Sequence, residues 1–311
     1  DSDLAQAVEI TTVFAKLSPD QKARIILQLK ANGHKVGYMG DGINDAPSMK
    51  VADVGISVDT AVDIAKETAD VILLDKDLMV LEKGLVEGRK VYANMTKYIK
   101  MTVSSNFGNI FSLLFASIFL PFLPMAPIHL IVLNLVYDLS CIALPFDRVD
   151  KDFLKKPRIW EAKSITRFMA WFGPISSVFD ILTFIALYFI IVPMITGYGY
   201  VHGADSAGLF IMLFQTGWFI ESMWSQTMVI HMLRSAKLPF LQSRPSWFVL
   251  GTTLLAASFV TFLPYSSIAS LLHLTPLEPI YFLFLLLIIV LYMISVTVVK
   301  RLYIKKFKSW L

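Results

Sequence analysis

The sequence predicts a membrane protein in two parts: a short α/β segment followed by an all-α, six-helix transmembrane bundle. Hydrophobic residues make up 56% of the 311 residues and charged residues only 17%, whereas soluble domains usually carry about 25% charge. The 28 Lys and Arg residues are confined to four segments: 1–100, 146–167, 234–244 and 300–308. This composition excludes a disordered chain, a disulfide scaffold and an ordinary soluble enzyme.

Residues 1–83 alternate short apolar runs with helical patterns, which is typical of a parallel sheet with helices on its faces. The apolar runs 12–17, 36–39, 54–58 and 71–74 predict strands, and 20–31, 46–52 and 61–68 predict helices. Ser18 is expected to cap the first of these helices, with Pro19 at its first position. Eighty residues supply only part of such a fold, and the first residue is not Met. We therefore expect the chain to be a piece of a longer protein.

Residues 84–100 are polar and helix-compatible, and they lead directly into an apolar run, which predicts a stalk helix. Residues 101–311 form the predicted transmembrane domain. Its six segments are long enough to cross about 30 Å of hydrocarbon: 101–120, 127–145, 168–194, 208–233, 246–264 and 279–299. Three of the five connecting segments lack Lys and Arg, and the basic ones alternate with them. This positive-inside pattern places both ends of the chain in the cytoplasm.

The net charge of +4 would suggest a nucleic-acid partner only if the basic residues formed a patch. Their segregation at predicted membrane edges instead indicates a lipid bilayer, and we expect no nucleic-acid partner. The single cysteine, Cys141, lies in an apolar run, so no intrachain disulfide is expected.

The octet GDGINDAP, residues 40–47, directly follows the predicted strand 36–39. Asp41 and Asp45 are four residues apart with Asn44 between them, a donor set that suits a hard cation such as Mg²⁺ at the carboxyl end of a strand. Lys22 lies in the first turn of the helix that begins near Ser18. A cation there opposes the helix dipole, which indicates an anion nearby. The alternatives are a simple Asp/Gly-rich turn and a solvated lysine.

Amides and one carboxylate concentrate in the first two predicted spans. Asn106 and Asn109 are three residues apart, and Asn134 and Asp138 are four apart, so each pair shares a helix face. Together they present amide oxygens and a carboxylate, which are ligands for a hard metal ion. The alternative is a set of interhelical hydrogen bonds, but an unpaired Asp at mid-membrane costs about 2.5–3.5 kcal/mol. We therefore favour a cation site formed by Asn109, Asn134 and Asp138, with Asn106 less firmly included.

Two further acidic residues, Asp180 and Glu221, lie within predicted spans. Glu221 is a candidate for a second metal site, a proton carrier or a structural hydrogen-bonding residue, and Asp180 is similar. We favour the structural role for both.

Three features together resemble the C-terminal part of a P-type cation-transporting ATPase: the octet that follows SPDQK (residues 18–22), the stalk helix and the six spans. The resemblance implies that residues 1–83 are the C-terminal part of a haloacid-dehalogenase-like, Rossmannoid phosphorylation domain. It also implies that Lys22 contacts the phosphoryl group on the catalytic aspartate and that Asp41 binds the catalytic Mg²⁺, supported by Asn44 and Asp45. ATP is then the substrate, bound through parts that precede this chain. The DKTGT and TGE motifs, the nucleotide-binding domain and four membrane helices of the family are absent, so this fragment alone is expected to be inactive.

The segments NLVYD (134–138) and SSNFGN (104–109) resemble the ion-binding segments of cation pumps. Calcium pumps tend to have Glu at the position of Asn109 and Thr at the position of Tyr137, so this sequence differs from them at both positions. The segment at residues 129–150, HLIVLNLVYDLSCIALPFDRVD, is most similar to bacterial magnesium-importing P-type ATPases. The resemblance implies ATP-driven Mg²⁺ import across a bacterial plasma (inner) membrane. A pump for Ca²⁺, Na⁺ or H⁺, and a truncated non-catalytic membrane module, remain alternatives.

Overall fold

The structure is a computed structural model that describes residues 2–75, 77–155, 157–158, 160–308 and 310. The chain divides into two compact units, one ending at Glu87 and the other beginning at Gly88. The first holds a small sheet and the second is built of helices.

The sheet of the first unit has three parallel strands in the order β1-β2-β3, as the alternating pattern predicts. The strands are β1 (Gly37–Met39), β2 (Val54–Val58) and β3 (Val71–Leu73), and the helices are α1 (Ser2–Ile10), α2 (Pro19–Ala31), α3 (Ala46–Val51) and α4 (Asp63–Thr68). Met49, Ala61 and Ala65 form a buried hydrophobic cluster in this unit. Each strand is joined to the next by a helix, which is the connection that parallel strands require.

Two local expectations for this unit have different outcomes. Ser18 caps α2 as predicted: its Oγ accepts a hydrogen bond from the Gln21 N–H, the Gln21 side chain accepts one from the Ser18 N–H, and Pro19 follows in the first turn. The strand predicted at 12–17 is wrong. Val13 is 78% exposed, and Lys16 adopts a left-handed backbone with φ of 59°, which interrupts an extended run.

The second unit consists of long helices with short connections. Its helices are α5 (Leu78–Phe119, which begins before the unit boundary), α6 (Pro127–Cys141), α7 (Lys151–Leu154), α8 (Ala162–Ala186), α9 (Val192–Thr196), α10 (Ala207–Leu233), α11 (Trp247–Phe262) and α12 (Pro279–Phe307). A π-helical turn, Leu187–Ile191, joins α8 to α9. Among the described residues, five helices are long and apolar enough to cross a membrane by length and composition: Leu78–Phe119, Pro127–Phe146, Ala162–Thr196, Trp247–Tyr265 and Pro279–Phe307.

Helix α10 occupies the place of the fourth predicted span but is not among these five. It packs against α6, α8, α11 and α12, and it buries polar residues such as Glu221 and Gln226 as well as Trp218. Because it is covered by protein on several sides, polar side chains are tolerated there, and they lower its hydropathy.

Helices α5 and α8 approach closely at Gly108. The Ser177 hydroxyl donates a 3.0 Å hydrogen bond to the Gly108 carbonyl oxygen. A Cβ added at Gly108 would lie 2.9 Å from Ser176 Cβ and 3.1 Å from the Gly173 carbonyl oxygen. The backbone atom cannot move aside independently, so only glycine fits at this crossing.

We expect Gly108→Ala to lower the melting temperature of the purified protein in detergent. Overpacking of a tight contact costs about 1–3 kcal/mol, which outweighs the gain of roughly 1 kcal/mol in helix propensity. Gly251→Ala in α11 is the matched control, since a Cβ there meets nothing within 4 Å. An equal or higher melting temperature for Gly108→Ala than for Gly251→Ala would contradict the tight crossing.

A buried ion network at Asp147 joins the ends of several helices. The Asp147 side chain is fully buried and accepts hydrogen bonds from Arg234 Nε (2.9 Å) and Nη2 (3.0 Å), Lys97 Nζ (3.0 Å) and the Ser246 N–H (3.2 Å). Burial alone would raise the pKa of Asp147, but the Lys97 ammonium and the Arg234 guanidinium outweigh it and lower that pKa. No local sequence pattern indicates this network, because its residues are far apart in the chain.

Candidate phosphate and cation sites

The predicted phosphate site lies in the loop between β1 and α3. The loop is fixed by its backbone: Gly40 N–H donates to the Ile56 carbonyl, the Ser57 hydroxyl donates to the Gly40 carbonyl, and Val62 N–H donates to the Asp41 carbonyl. A Cβ at Gly40 would lie 2.3 Å from Asp45 Cβ. The first glycine of the octet therefore permits Asp45 to fold back against the loop.

Lys22 and Asp45 are in direct contact. Lys22 Nζ lies 2.8 Å from Asp45 Oδ1, and the Tyr38 hydroxyl donates to the same oxygen at 2.7 Å. Burial would raise the pKa of Asp45, but the hydrogen bonds from Lys22 and Tyr38 outweigh it and lower that pKa, while Asp45 raises the pKa of Lys22. The anion indicated by the position of Lys22 is thus, in this structure, the Asp45 carboxylate.

Asp41 and Asn44 differ from Asp45 in their surroundings. Both side chains are exposed, and the described contacts include no hydrogen bond to either of them. Their carboxylate and amide oxygens are ligands that Mg²⁺ takes, so the chemistry of the two side chains fits such an ion. Asp45, by contrast, is already engaged by Lys22 and Tyr38.

The Asp45 contacts predict a local loss of stability in acid. A lowered folded-state pKa means that the contribution of this carboxylate is fully present above its unfolded pKa of about 3.9 and is lost as pH falls through the folded value. In the parent protein, we expect the hydrogen-exchange protection of loop 40–47 to fall as the pH is lowered. In Asp45→Asn, we expect this protection to depend less on pH. Asp63→Asn is the control, because Asp63 is 94% exposed. An unchanged acid dependence in Asp45→Asn would refute the prediction.

The predicted cation ligands line one cavity in the helical unit. The cavity has a volume of about 430 Å³, and its polar lining comprises Asn106, Asn109, Asn134, Tyr137 and Asp138. Asn106, Asn134 and Asp138 are exposed and Asn109 is half-buried. The described contacts include no hydrogen bond or ion pair to these three amides or to Asp138, so the alternative of an interhelical hydrogen-bond set finds no support.

Asp138 also lines a second cavity, of about 340 Å³, on the side of Asn94, Met95 and Tyr98. Asp138 is therefore a lining residue of both cavities. An exposed carboxylate on a helix of this apolar composition needs a polar partner, because an unpaired charge in hydrocarbon is costly.

Glu221 does not line either cavity at Asp138. It is 1% exposed and lies against Asp180, whose carboxylate accepts hydrogen bonds from Ser112 and Trp218. The structure thus separates Glu221 from the other proposed metal ligands.

Two tyrosines were not identified by sequence reasoning. Tyr38 reaches Asp45 from the strand just before the octet, and Tyr137, 2% exposed, lines the cavity beside Asp138. A tyrosine two residues before a Gly/Asp-rich loop could have signalled the first. The second was recognised only as a difference from calcium pumps.

Comparisons with known proteins place the chain in a family. Residues 122–302 match the sequence profile of the family described as "Cation transporting ATPase, C-terminus". The chain is 51% identical over 310 residues to "Magnesium-transporting ATPase, P-type 1" of Salmonella typhimurium, and this match covers 100% of the chain and 33% of the relative. It is 49% identical over 307 residues to the protein of the same name from Escherichia coli, and this match covers 99% of the chain and 33% of the relative. A "Calcium-transporting ATPase" of Bacillus subtilis is 38% identical over 193 residues, 60% of this chain and 22% of that protein. The chain thus spans about one third of the length of the first two relatives.

Proposed function

Because the chain belongs to the cation-transporting P-type ATPases, we propose that it is the C-terminal part of a pump that imports Mg²⁺ at the expense of ATP. The observation that carries this proposal is the cavity lined by three amides and the Asp138 carboxylate. The described contacts include no hydrogen bond or ion pair from the protein to any of these four side chains. One carboxylate with neutral amides suits an ion that keeps several of its waters. The names of the two relatives from Salmonella typhimurium and Escherichia coli support Mg²⁺ as the transported ion.

In the same proposal, the first unit is part of a haloacid-dehalogenase-like phosphorylation domain, and the pump works through a phosphoenzyme. A bound Mg²⁺ would neutralise charge on the phosphoryl group. Asp41, with Asn44 beside it, would hold that ion. Lys22 would bind a phosphoryl oxygen, and Asp45, assisted by Tyr38, keeps the lysine charged and oriented. The phosphorylated aspartate and the ATP site belong to parts outside this chain.

The membrane arrangement is also part of the proposal. Six helices cross a bacterial plasma membrane, with α10 as the protein-covered member, and both ends of the chain are cytoplasmic. The confinement of Lys and Arg to alternate connections supports this orientation.

The test is growth rescue of a magnesium-uptake-deficient bacterium by the full-length protein at limiting Mg²⁺. We expect rescue by the parent and by Asp63→Asn, and none by Asp41→Ala. A membrane-inserted parent that does not rescue growth would overturn Mg²⁺ import. Rescue by Asp41→Ala equal to that of the parent would overturn the role of the phosphate site.

A further inference from the structure

Helices α8 and α10 bury two carboxyl groups against each other. Asp180 and Glu221 are each 1% exposed. Trp218, which donates to Asp180, lies three residues before Glu221 on the same face of α10, and the two carboxyl groups are close enough to interact. Among the described Lys, Arg and His side chains, none forms an ion pair with either group. Two contacting carboxylates without a counter-charge cannot both ionise in such surroundings, because the charges repel each other and neither is solvated.

The two carboxyl groups differ in the donors that reach them. The Ser112 hydroxyl of α5 lies 2.6 Å from Asp180 Oδ2 and 2.9 Å from the Gly108 carbonyl oxygen; it donates its single hydrogen to the nearer Asp180, because Ser177 already donates to that carbonyl. Asp180 Oδ1 accepts a 3.1 Å hydrogen bond from the Trp218 indole N–H of α10. Glu221 Oε2 is buried and has no hydrogen-bond partner among the described residues. Donors stabilise the ionised form of the group they reach. Asp180, which two donors reach, is therefore the carboxylate, and Glu221, whose Oε2 meets no donor among the described residues, is the group left to carry a proton.

The remaining neighbours fit a proton better than a metal ion. The indole N–H and the serine hydroxyl both present hydrogens to Asp180, and an indole N–H cannot ligate a cation. From α12, the Tyr281 hydroxyl donates to the Gly217 carbonyl oxygen at 2.6 Å. Tyr292, also of α12, is fully buried and lies close enough to interact with both carboxyl groups. From α10, Ser225 lies next to Glu221.

We propose that Asp180 and Glu221 form an intramembrane acid pair that binds one proton, held on Glu221 and donated to Asp180. The pair then carries a single negative charge, which Ser112 and Trp218 stabilise. The proton completes a chain of hydrogen bonds that joins α5, α8 and α10. This site is distinct from the cavity at Asp138, and the inference does not depend on which ion is transported.

The test compares Glu221→Gln with Asp180→Asn in the purified full-length protein. The amide introduced by Glu221→Gln can donate an N–H to Asp180 as the acid does, so we expect the melting temperature to stay within about 2 °C, roughly the shift that 1 kcal/mol gives in a large domain. The amide introduced by Asp180→Asn offers only one acceptor oxygen to two donors, so we expect a clearly larger fall. Equal destabilisation by the two variants would overturn the assignment of the proton to Glu221.

Infrared spectroscopy gives a second readout that does not depend on the stability of Asp180→Asn. We expect a carboxylic-acid C=O band in the parent that is missing in Glu221→Gln and retained in Asp138→Asn. A band that persists in Glu221→Gln would refute the proposal. The proposal would also be refuted if adding Mg²⁺ to metal-depleted Asp138→Asn protein abolished the band. The pair of Asp180 and Glu221 would then be binding the metal ion in place of its proton.

Discussion

Asp138→Asn is expected to raise the Mg²⁺ concentration for half-maximal uptake by the full-length protein by about 10- to 150-fold. Asparagine keeps the size of the side chain and one oxygen but removes the only carboxylate among the described residues that line the cavity. Interactions of a charged group are worth about 1.5–3 kcal/mol, and each 1.4 kcal/mol is tenfold in affinity. The measurement is Mg²⁺ uptake into vesicles over a range of Mg²⁺ concentrations.

The matched control for this prediction is Asp152→Asn. Asp152 is also an aspartate of the helical unit, but its side chain is 70% exposed and pairs only with Lys155 in the described structure. An exposed pair of this kind contributes little, so uptake should be unchanged. If Asp138→Asn took up Mg²⁺ with the parent's concentration dependence, the Asp138 cavity would not be the transport site.

The second large effect is expected at Asp147, where Asp147→Asn should destabilise the protein by about 3–5 kcal/mol. The substitution leaves Lys97 and Arg234 buried, with side chains 3% and 1% exposed, and without their shared counter-charge. Thermal unfolding of the purified full-length protein in detergent measures this loss. The pKa of Asp147 is lowered, so its contribution in the parent is present at neutral pH and is lost as pH falls through the folded-state pKa.

Asp150→Asn is the matched control, since Asp150 is 25% exposed, lies 4.0 Å from Lys237 and otherwise accepts hydrogen bonds from the Ser235 and Ser243 hydroxyls, which an asparagine oxygen can also accept. We expect a smaller effect there. The double variant Lys97→Met/Asp147→Asn should recover part of the lost stability, because it buries one unpaired cation fewer. A double variant less stable than Asp147→Asn alone would show that the charge imbalance is not the cause.

Local sequence features were sufficient for the elements whose cause lies within a few residues. The Ser18 cap, the three parallel strands after it and the long apolar helices follow from hydrogen-bonding side chains, alternation and hydrophobic length. The run 12–17 shows the limit of this reasoning, because a strand also needs a neighbour with which to pair. The grouping of Asn106, Asn109, Asn134 and Asp138 followed from helical spacing on two adjacent segments, and the structure places all four on one cavity.

Contacts between distant segments were decided by the tertiary structure alone. The sequence by itself determined that there is a polar loop with Asp41 and Asp45, a helix that carries Lys22 in its first turn, and a set of apolar helices that carries acidic residues. It did not determine that Lys22 and Tyr38 converge on Asp45, that Asp147 gathers Lys97 and Arg234, or that Glu221 contacts Asp180 rather than the Asp138 cavity. The physical reason is that helical spacing fixes only which residues share a face, whereas the partner of a buried charge depends on which helices pack against each other.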